Sequence, residues 1–312
     1  MTRRGLVLGA GGVLGAAWTM GALDALQREY GWDPREAEVL VGTSAGSVLA
    51  ASLGCGVGVD ELLATQRGTA GSRVTYDHDA GGARPPLPRP GIGSPRGAVR
   101  ALLNPRRTTP MMALSTVLPQ GRGSIEAVGQ LVDAVVCDGG WSAHPQTWVV
   151  AMDYDSGRRV VFGREGAPEV RLRDAVMASC AIPGWYAPVR ASGRRYVDGG
   201  ACSPTSLDLV AQLGLDEVVV LSPMTSLDYD APSAVASRVE RRLRRLVTRR
   251  VVGEVKKVAA TGTRVTLLGP GAEDLDAIGS NMMDPRRRER VLETSLRTSV
   301  AALRAEGLRA AG

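Results

Sequence analysis

The 312-residue chain predicts a single-domain α/β protein of three layers, with helices on both faces of a mostly parallel central sheet. Three observations predict it. Strand-like and helical runs alternate throughout, which favours one α/β domain with insertions. The first apolar run, Leu6 to Leu8, empties into the glycine loop Gly9-Ala10-Gly11-Gly12-Val13-Leu14-Gly15, and a helical pattern follows over Ala16 to Tyr30. The second, Ala37 to Val41, turns sharply through Gly42-Thr43-Ser44-Ala45-Gly46 into the small, apolar run ending at Leu53.

The second element has the geometry of a nucleophile elbow, strand then tight turn then helix, with Ser44 raised at the helix N-terminus. Gly42 and Gly46 let the backbone turn and the helix approach the strand. The first element presents backbone N–H groups at a helix N-terminus, which suits an anion. In acyl transfer that anion is the oxyanion of the tetrahedral intermediate. A third element, Asp198-Gly199-Gly200, follows the strand expected over Arg195 to Val197 and places a carboxylate in a tight turn at a strand end.

Further strands are expected at Thr147 to Met152, Arg159 to Phe162, Glu217 to Leu221 and Arg264 to Leu268. Helices are expected at Val59 to Arg67, Ser124 to Val136, Arg173 to Cys180 and Thr205 to Leu213. A final helix starts at Asp284-Pro285, an N-cap followed by proline at the first helical position, and runs to about Glu306.

Two stretches depart from this pattern. Residues 77–123 are rich in proline, glycine and arginine, with two brief helical pieces, Ala98 to Leu103 and Met111 to Leu118. They read as a surface insertion or as a lid over Ser44, with Met111, Met112 and Leu114 offering an apolar surface to acyl chains. Residues 233–260 form a basic amphipathic helix. Val235, Val239, Leu243, Leu246, Val247, Val251, Val255 and Val258 recur at helical spacing, and arginines and lysines occupy the other face. That face is either solvated or drawn to anionic headgroups.

Composition narrows the function classes. The single Phe162 and scarce aromatics argue against a base-stacking nucleic-acid surface. Cys55, Cys137, Cys180 and Cys202 have no metal-binding spacing, and no D-x-D-x-D-G loop is present, so neither metal nor cofactor is expected. The formal charge of +6 is compatible with an anionic surface. The N-terminal arginines before an apolar stretch mimic a signal peptide, but five glycines between Gly5 and Gly15 break it. A cytoplasmic protein is therefore expected, with peripheral contact at the inner membrane surface and an open oligomeric state.

Together the motifs resemble the patatin-like phospholipase family. Gly9 to Gly15 matches its oxyanion segment, Gly42 to Gly46 its nucleophile motif, and Asp198-Gly199-Gly200 its catalytic Asp motif. Ala178-Ser179-Cys180-Ala181-Ile182-Pro183-Gly184 is similar to its helix-end segment before the Asp strand. The resemblance implies a three-layer fold, a Ser44–Asp198 dyad, an oxyanion hole from Gly9, Ala10, Gly11, Gly12, Val13 and Gly15, and a lipid or acyl-ester substrate. Leu14 departs from the family, where a basic residue is common. Histidine fits the dyad reading. Only His78 and His144 occur, both in polar loop-like segments, and neither follows Asp198 as an α/β-hydrolase triad requires.

Two rivals are considered. A dinucleotide-binding loop needs a third glycine where Leu14 stands and an acidic residue at the second strand end, where Val41 runs into Gly42. A non-catalytic lipid-binding or regulatory protein on the same fold has no need of an intact Ser44, Asp198 and glycine loop.

Overall fold

A computed structural model describes residues 2–69, 86–106, 108–136, 140–227 and 235–311. His78, Cys137 and part of the 77–123 insertion lie outside the described residues. In chain order the strands are β1 (Arg4–Leu8), β2 (Val39–Thr43), β3 (Thr147–Asp153), β4 (Arg159–Phe162), β5 (Val189–Ala191), β6 (Arg194–Asp198), β7 (Glu217–Leu221) and β8 (Arg264–Leu268). The helices are α1 (Gly12–Tyr30), α2 (Ala45–Gly54), α3 (Val59–Arg67), α4 (Pro95–Leu103), α5 (Pro110–Val117), α6 (Glu126–Val135), α7 (Leu172–Cys180), α8 (Val235–Ala259), α9 (Ala272–Ile278) and α10 (Arg288–Ala311).

All eight strands join one sheet in the order β5-β6-β3-β2-β1-β7-β8, with β4 also paired to β3. The central strands β3, β2, β1, β7 and β8 run parallel, and β4 and β6 are antiparallel to β3. Alternation along β1 shows how the layers form. Leu6 and Leu8 belong to the core shared with α1, α2, α6 and α7, whereas Val7 faces a second core with Leu207, Val210 and Val258 of α8. Successive side chains of a strand point to opposite faces, so a sheet apolar on both sides must be covered on both. The three-layer α/β/α fold with a mostly parallel sheet is therefore present.

Several elements differ from the sequence expectation. α1 begins at Gly12, inside the glycine loop, rather than at Ala16. The helix expected over Thr205 to Leu213 is only a 3₁₀ turn, Leu207–Val210. Ser206 before it has φ of 56°, which an α-helix cannot continue. The buried Glu254 carboxylate takes the Ser203 and Thr205 hydroxyls and the Leu207 N–H at 2.6, 2.7 and 3.1 Å, replacing helical partners. Of the apolar stripe expected on α8, the side chains of Val235 and Val239 lie outside the described residues, and Val251 and Val258 in the second half are buried. In its first half Leu243 and Leu246 are exposed, while Arg241 and Arg244 are buried. What lies beneath Arg244 is the carbonyl oxygens of Pro223 and Thr225 and the Glu240 carboxylate, partners that a guanidinium can satisfy and a leucine cannot.

Candidate active site

β2 ends at Thr43, and Ser44 forms the corner into α2 with φ of 53° and ψ of −125°. A non-glycine residue in this region is strained and persists only where its surroundings hold it. Three contacts do so. The Ser44 N–H donates to Ser179 Oγ at 2.9 Å, the Ser179 hydroxyl donates in turn to Val150 O at 2.5 Å, and the Ser44 carbonyl accepts the Ser47 hydroxyl at 2.6 Å. Gly46 is required by close approach, because a Cβ there would lie inside the contact distance of Leu8 O. Gly42 packs on Gly46 and Ser47.

The glycine loop leaves β1 beside this corner. Its N–H groups divide into two sets. Those of Gly9, Ala10, Leu14 and Gly15 are bonded to Leu221 O, Pro204 O, Met282 O and Gly11 O at 2.8–3.0 Å. Gly9, Ala10 and Gly15, expected as oxyanion donors, thus hold the loop in place instead. The N–H groups of Gly11, Gly12 and Val13 have no acceptor among the described residues. They belong to the N-terminal end of α1, where unpaired N–H groups and the helix dipole favour negative charge. Gly12 has φ of 59°, and a Cβ there would meet Met283 Sδ at 2.8 Å. Leu14 is fully buried in the apolar core.

Asp198 closes β6, opposite Ala151 of β3, and is 7% exposed. Its N–H donates to Ala181 O at 3.0 Å and its Oδ1 accepts the Gly200 N–H at 2.7 Å. Gly199 packs on Val150, and Gly200 lies between the Asp198 carboxyl and Ala10 of the glycine loop. Burial pushes the Asp198 carboxyl up to about 6, against the pull of the Ser44 hydroxyl and the Gly200 N–H, which favour its charged form.

Ser44 opens onto an apolar cavity. Its walls include Gly12, Val13 and Met20 of α1, Val48 of α2, Ile125, Val128 and Leu131 at α6, and Ile182 and Tyr186. It holds about 120 Å³, a narrow and mainly apolar space. Asp198 is not among the lining residues, and neither are Met111, Met112 and Leu114. Met112 instead packs against Met152, Tyr154 and Cys202, while Met111 and Leu114 are half-exposed. The described part of the insertion therefore does not bring those three side chains over Ser44. Cys180 lines the cavity, but burial and the neighbouring Asp198 push its thiol well above the usual range, so it stays protonated.

His144 is half-buried rather than solvated. Its Nε2 pairs with Ala37 O at 2.7 Å and its Nδ1 accepts the Gln146 N–H at 3.2 Å. Ala37 precedes β2, whereas Ser44 follows it, so His144 and Ser44 occupy opposite ends of one strand. Among the described residues no group of three or more His, Cys, Asp or Glu side chains is placed to hold a metal ion. No described helix is long and apolar enough to cross a membrane.

Two residues of the site went unassigned in the sequence. Ser179 was visible within Ala178–Gly184, but its bond to the Ser44 N–H joins residues 135 apart in sequence. Arg244 was counted on a solvated face, yet it ties down Pro223 and Met282, which pack against Gly11 and Gly15.

The sequence matches the family described as "Patatin-like phospholipase" over residues 6–211. The chain belongs to the patatin-like phospholipase family. The matched span runs from β1 past the Asp198 turn and so contains the glycine loop, the Ser44 corner and Asp198. The family places the protein among lipid acyl hydrolases. Among solved structures, the crystal structure of VipD from Legionella pneumophila is similar in fold, with a TM-score of 0.50 and 14% identity, covering 98% of this chain and 67% of that one.

Proposed function

We propose that this patatin-like protein hydrolyses carboxylic esters of lipids through Ser44 and Asp198, without metal or cofactor. The observation that carries the reading is the strained Ser44, which opens onto an apolar cavity lined also by Gly12 and Val13, whose N–H groups have no acceptor among the described residues. An apolar cavity selects an acyl chain, and preorganised donors at a water-poor site stabilise a developing oxyanion.

The steps follow from the placement. Asp198 takes the Ser44 hydroxyl proton as Oγ bonds to the ester carbonyl carbon. The N–H groups of Gly11, Gly12 and Val13 hold the oxyanion. Collapse breaks the bond to the alcohol, which leaves with the proton from Asp198. Water then loses a proton to Asp198 and attacks the acyl-serine, and Ser44 departs with that proton as the fatty acid is released. A carboxyl near 6 is a better base at neutral pH than an ordinary one near ~3.9.

The test is hydrolysis of p-nitrophenyl esters from short to long acyl chains by the wild type, Ser44→Ala and Asp198→Asn, with circular dichroism on each. Loss of turnover in both folded variants supports the dyad. Wild-type turnover no higher than that of Ser44→Ala, together with no fluorophosphonate label on Ser44, leaves a lipid-binding scaffold without catalysis.

A further inference from the structure

α4 and α5 pack against each other, yet they turn apolar side chains outward. Of the twelve large apolar side chains exposed among the described residues, eight lie between Leu87 and Val117. On α4, Val99, Leu102 and Leu103 are 55, 81 and 74% exposed and share one helical face. Scattered exposed apolar residues need no explanation, but such a concentration marks an interaction surface.

The charge around this face is one-sided. A groove between α4, the Asp153–Arg158 turn and the β5–β6 hairpin is lined by Arg96, Arg100, Arg158, Arg190, Arg194 and Arg195 against only Asp153 and Asp155. Arg194 pairs with Asp153 and Arg195 with Asp155, and Arg96 lies near enough to Asp155 to favour its charged form, while Arg100, Arg158 and Arg190 have no ion-pair partner among the described residues. α4 is held firmly in this position. Ser94 caps it by accepting the Gly97 N–H at 3.1 Å and donates to Asp155 at 2.8 Å.

We propose that α4 and α5, with this arginine groove, form the surface that docks on an anionic lipid bilayer. Exposed leucines beside an excess of arginines suit the boundary between acyl chains and acidic headgroups. The placement relative to Ser44 agrees. Thr43 pairs with Val150 of β3, and the groove begins at Asp153, three residues beyond Val150 at the same end of the sheet. The chain leaving α5 reaches the wall of the Ser44 cavity within a few residues. Gly123 donates to Trp185 O at 2.9 Å and accepts from Ala187 N at 3.2 Å, and both Ile125 and Tyr186 line the cavity. The inference places the substrate of the proposed hydrolase in such a membrane, and it rests on that reading only for the chemistry that follows docking.

Flotation of the full chain carrying Ser44→Ala, which leaves the vesicles intact, separates docking from turnover. Phosphatidylcholine vesicles are compared with vesicles that also contain phosphatidylglycerol, at low and raised salt. Binding to the anionic vesicles is expected, weakened by salt. It should fall on the order of tenfold or more in Arg96→Glu/Arg100→Glu and in Leu102→Gln/Leu103→Gln. Arg242→Glu/Arg249→Glu on α8 should bind like its parent. Equal binding to both vesicle types, indifference to the α4 substitutions, or loss only with the α8 pair would overturn the proposal. The same α4 substitutions with Ser44 intact should leave hydrolysis of a short soluble ester unchanged. Absence of esterase activity alongside intact anionic binding would refute the catalytic reading while leaving docking in place.

Discussion

The Ser179 hydroxyl accepts the backbone N–H of Ser44 at 2.9 Å and donates a hydrogen bond to Val150 O at 2.5 Å. A side chain at the end of α7 thereby fixes the corner between β2 and α2 to β3. Without it, the Ser44 N–H loses its buried acceptor and the strained φ of 53° loses one of its restraints. Ser179→Ala is expected to lower kcat roughly 10- to 100-fold with little change in KM, since misplacement of about 1 Å costs that much. Ser179→Thr, which keeps the hydroxyl, should recover part of the loss. Unchanged kcat in a folded Ser179→Ala protein would show that the elbow needs no such support.

The acidity of Asp198 predicts the pH profile. The proposed base works only when ionised, and burial pushes its carboxyl up to about 6. The value of kcat/KM on a soluble ester should be flat above neutrality and fall tenfold per pH unit below about 6. A profile still flat near pH ~4.5, where an ordinary carboxylate remains ionised, would remove the raised base from the mechanism.

The same burial has a cost in stability. Because the folded carboxyl binds its proton more tightly than the unfolded one, it favours folding most below the unfolded value of 3.8, and that benefit is lost as pH rises to about 6. Above 6 the buried charge is retained at a cost of about 3 kcal/mol, the two values differing by roughly two units at 1.36 kcal/mol each. Asp198→Asn should therefore be more resistant to urea than the wild type near neutral pH, with the gain shrinking as pH falls toward 4. A variant less stable than the wild type at neutral pH would mean that the Gly200 N–H and Ser44 hydroxyl outweigh desolvation.

The local parts of this site were legible because each is a few adjacent residues with one backbone requirement. The glycine loop after β1, the Gly42–Gly46 corner and the Asp198 turn needed only motif and strand pattern. What remained hidden joins distant parts of the chain. The division of loop N–H groups, with Gly9 and Ala10 bonded and Gly11 to Val13 without an acceptor among the described residues, depends on Pro204 and Leu221, which approach only when β7 pairs with β1. Glu254 dissolves the helix expected at Thr205 because α8 passes over that segment. Periodicity also assumes that the apolar face is the buried one, and α8 breaks that rule at Arg244, where the core offers carbonyl oxygens.

Arg244 supplies the last prediction. It is 1% exposed and lies against Glu240, the carbonyls of Pro223 and Thr225, and Met282 Sδ. Pro223 packs on Gly11 and Gly15, and Met282 O accepts the Leu14 N–H at 3.0 Å, so this one guanidinium stands behind the glycine loop. Arg244→Met removes one of the two guanidiniums on Glu240, Arg241 being the other, and takes away the donor that serves the Pro223 and Thr225 carbonyls. Leaving buried carbonyls without their donor costs about 1–3 kcal/mol, whereas Arg242→Met on the exposed face should change stability by no more than about 0.5 kcal/mol. Lysine should not substitute, because a single ammonium cannot reproduce the planar fork that reaches Glu240, Pro223 and Met282 together. Urea denaturation of the three variants is the measurement. An Arg244→Met protein as stable as Arg242→Met would mean that the loop holds its shape without this support.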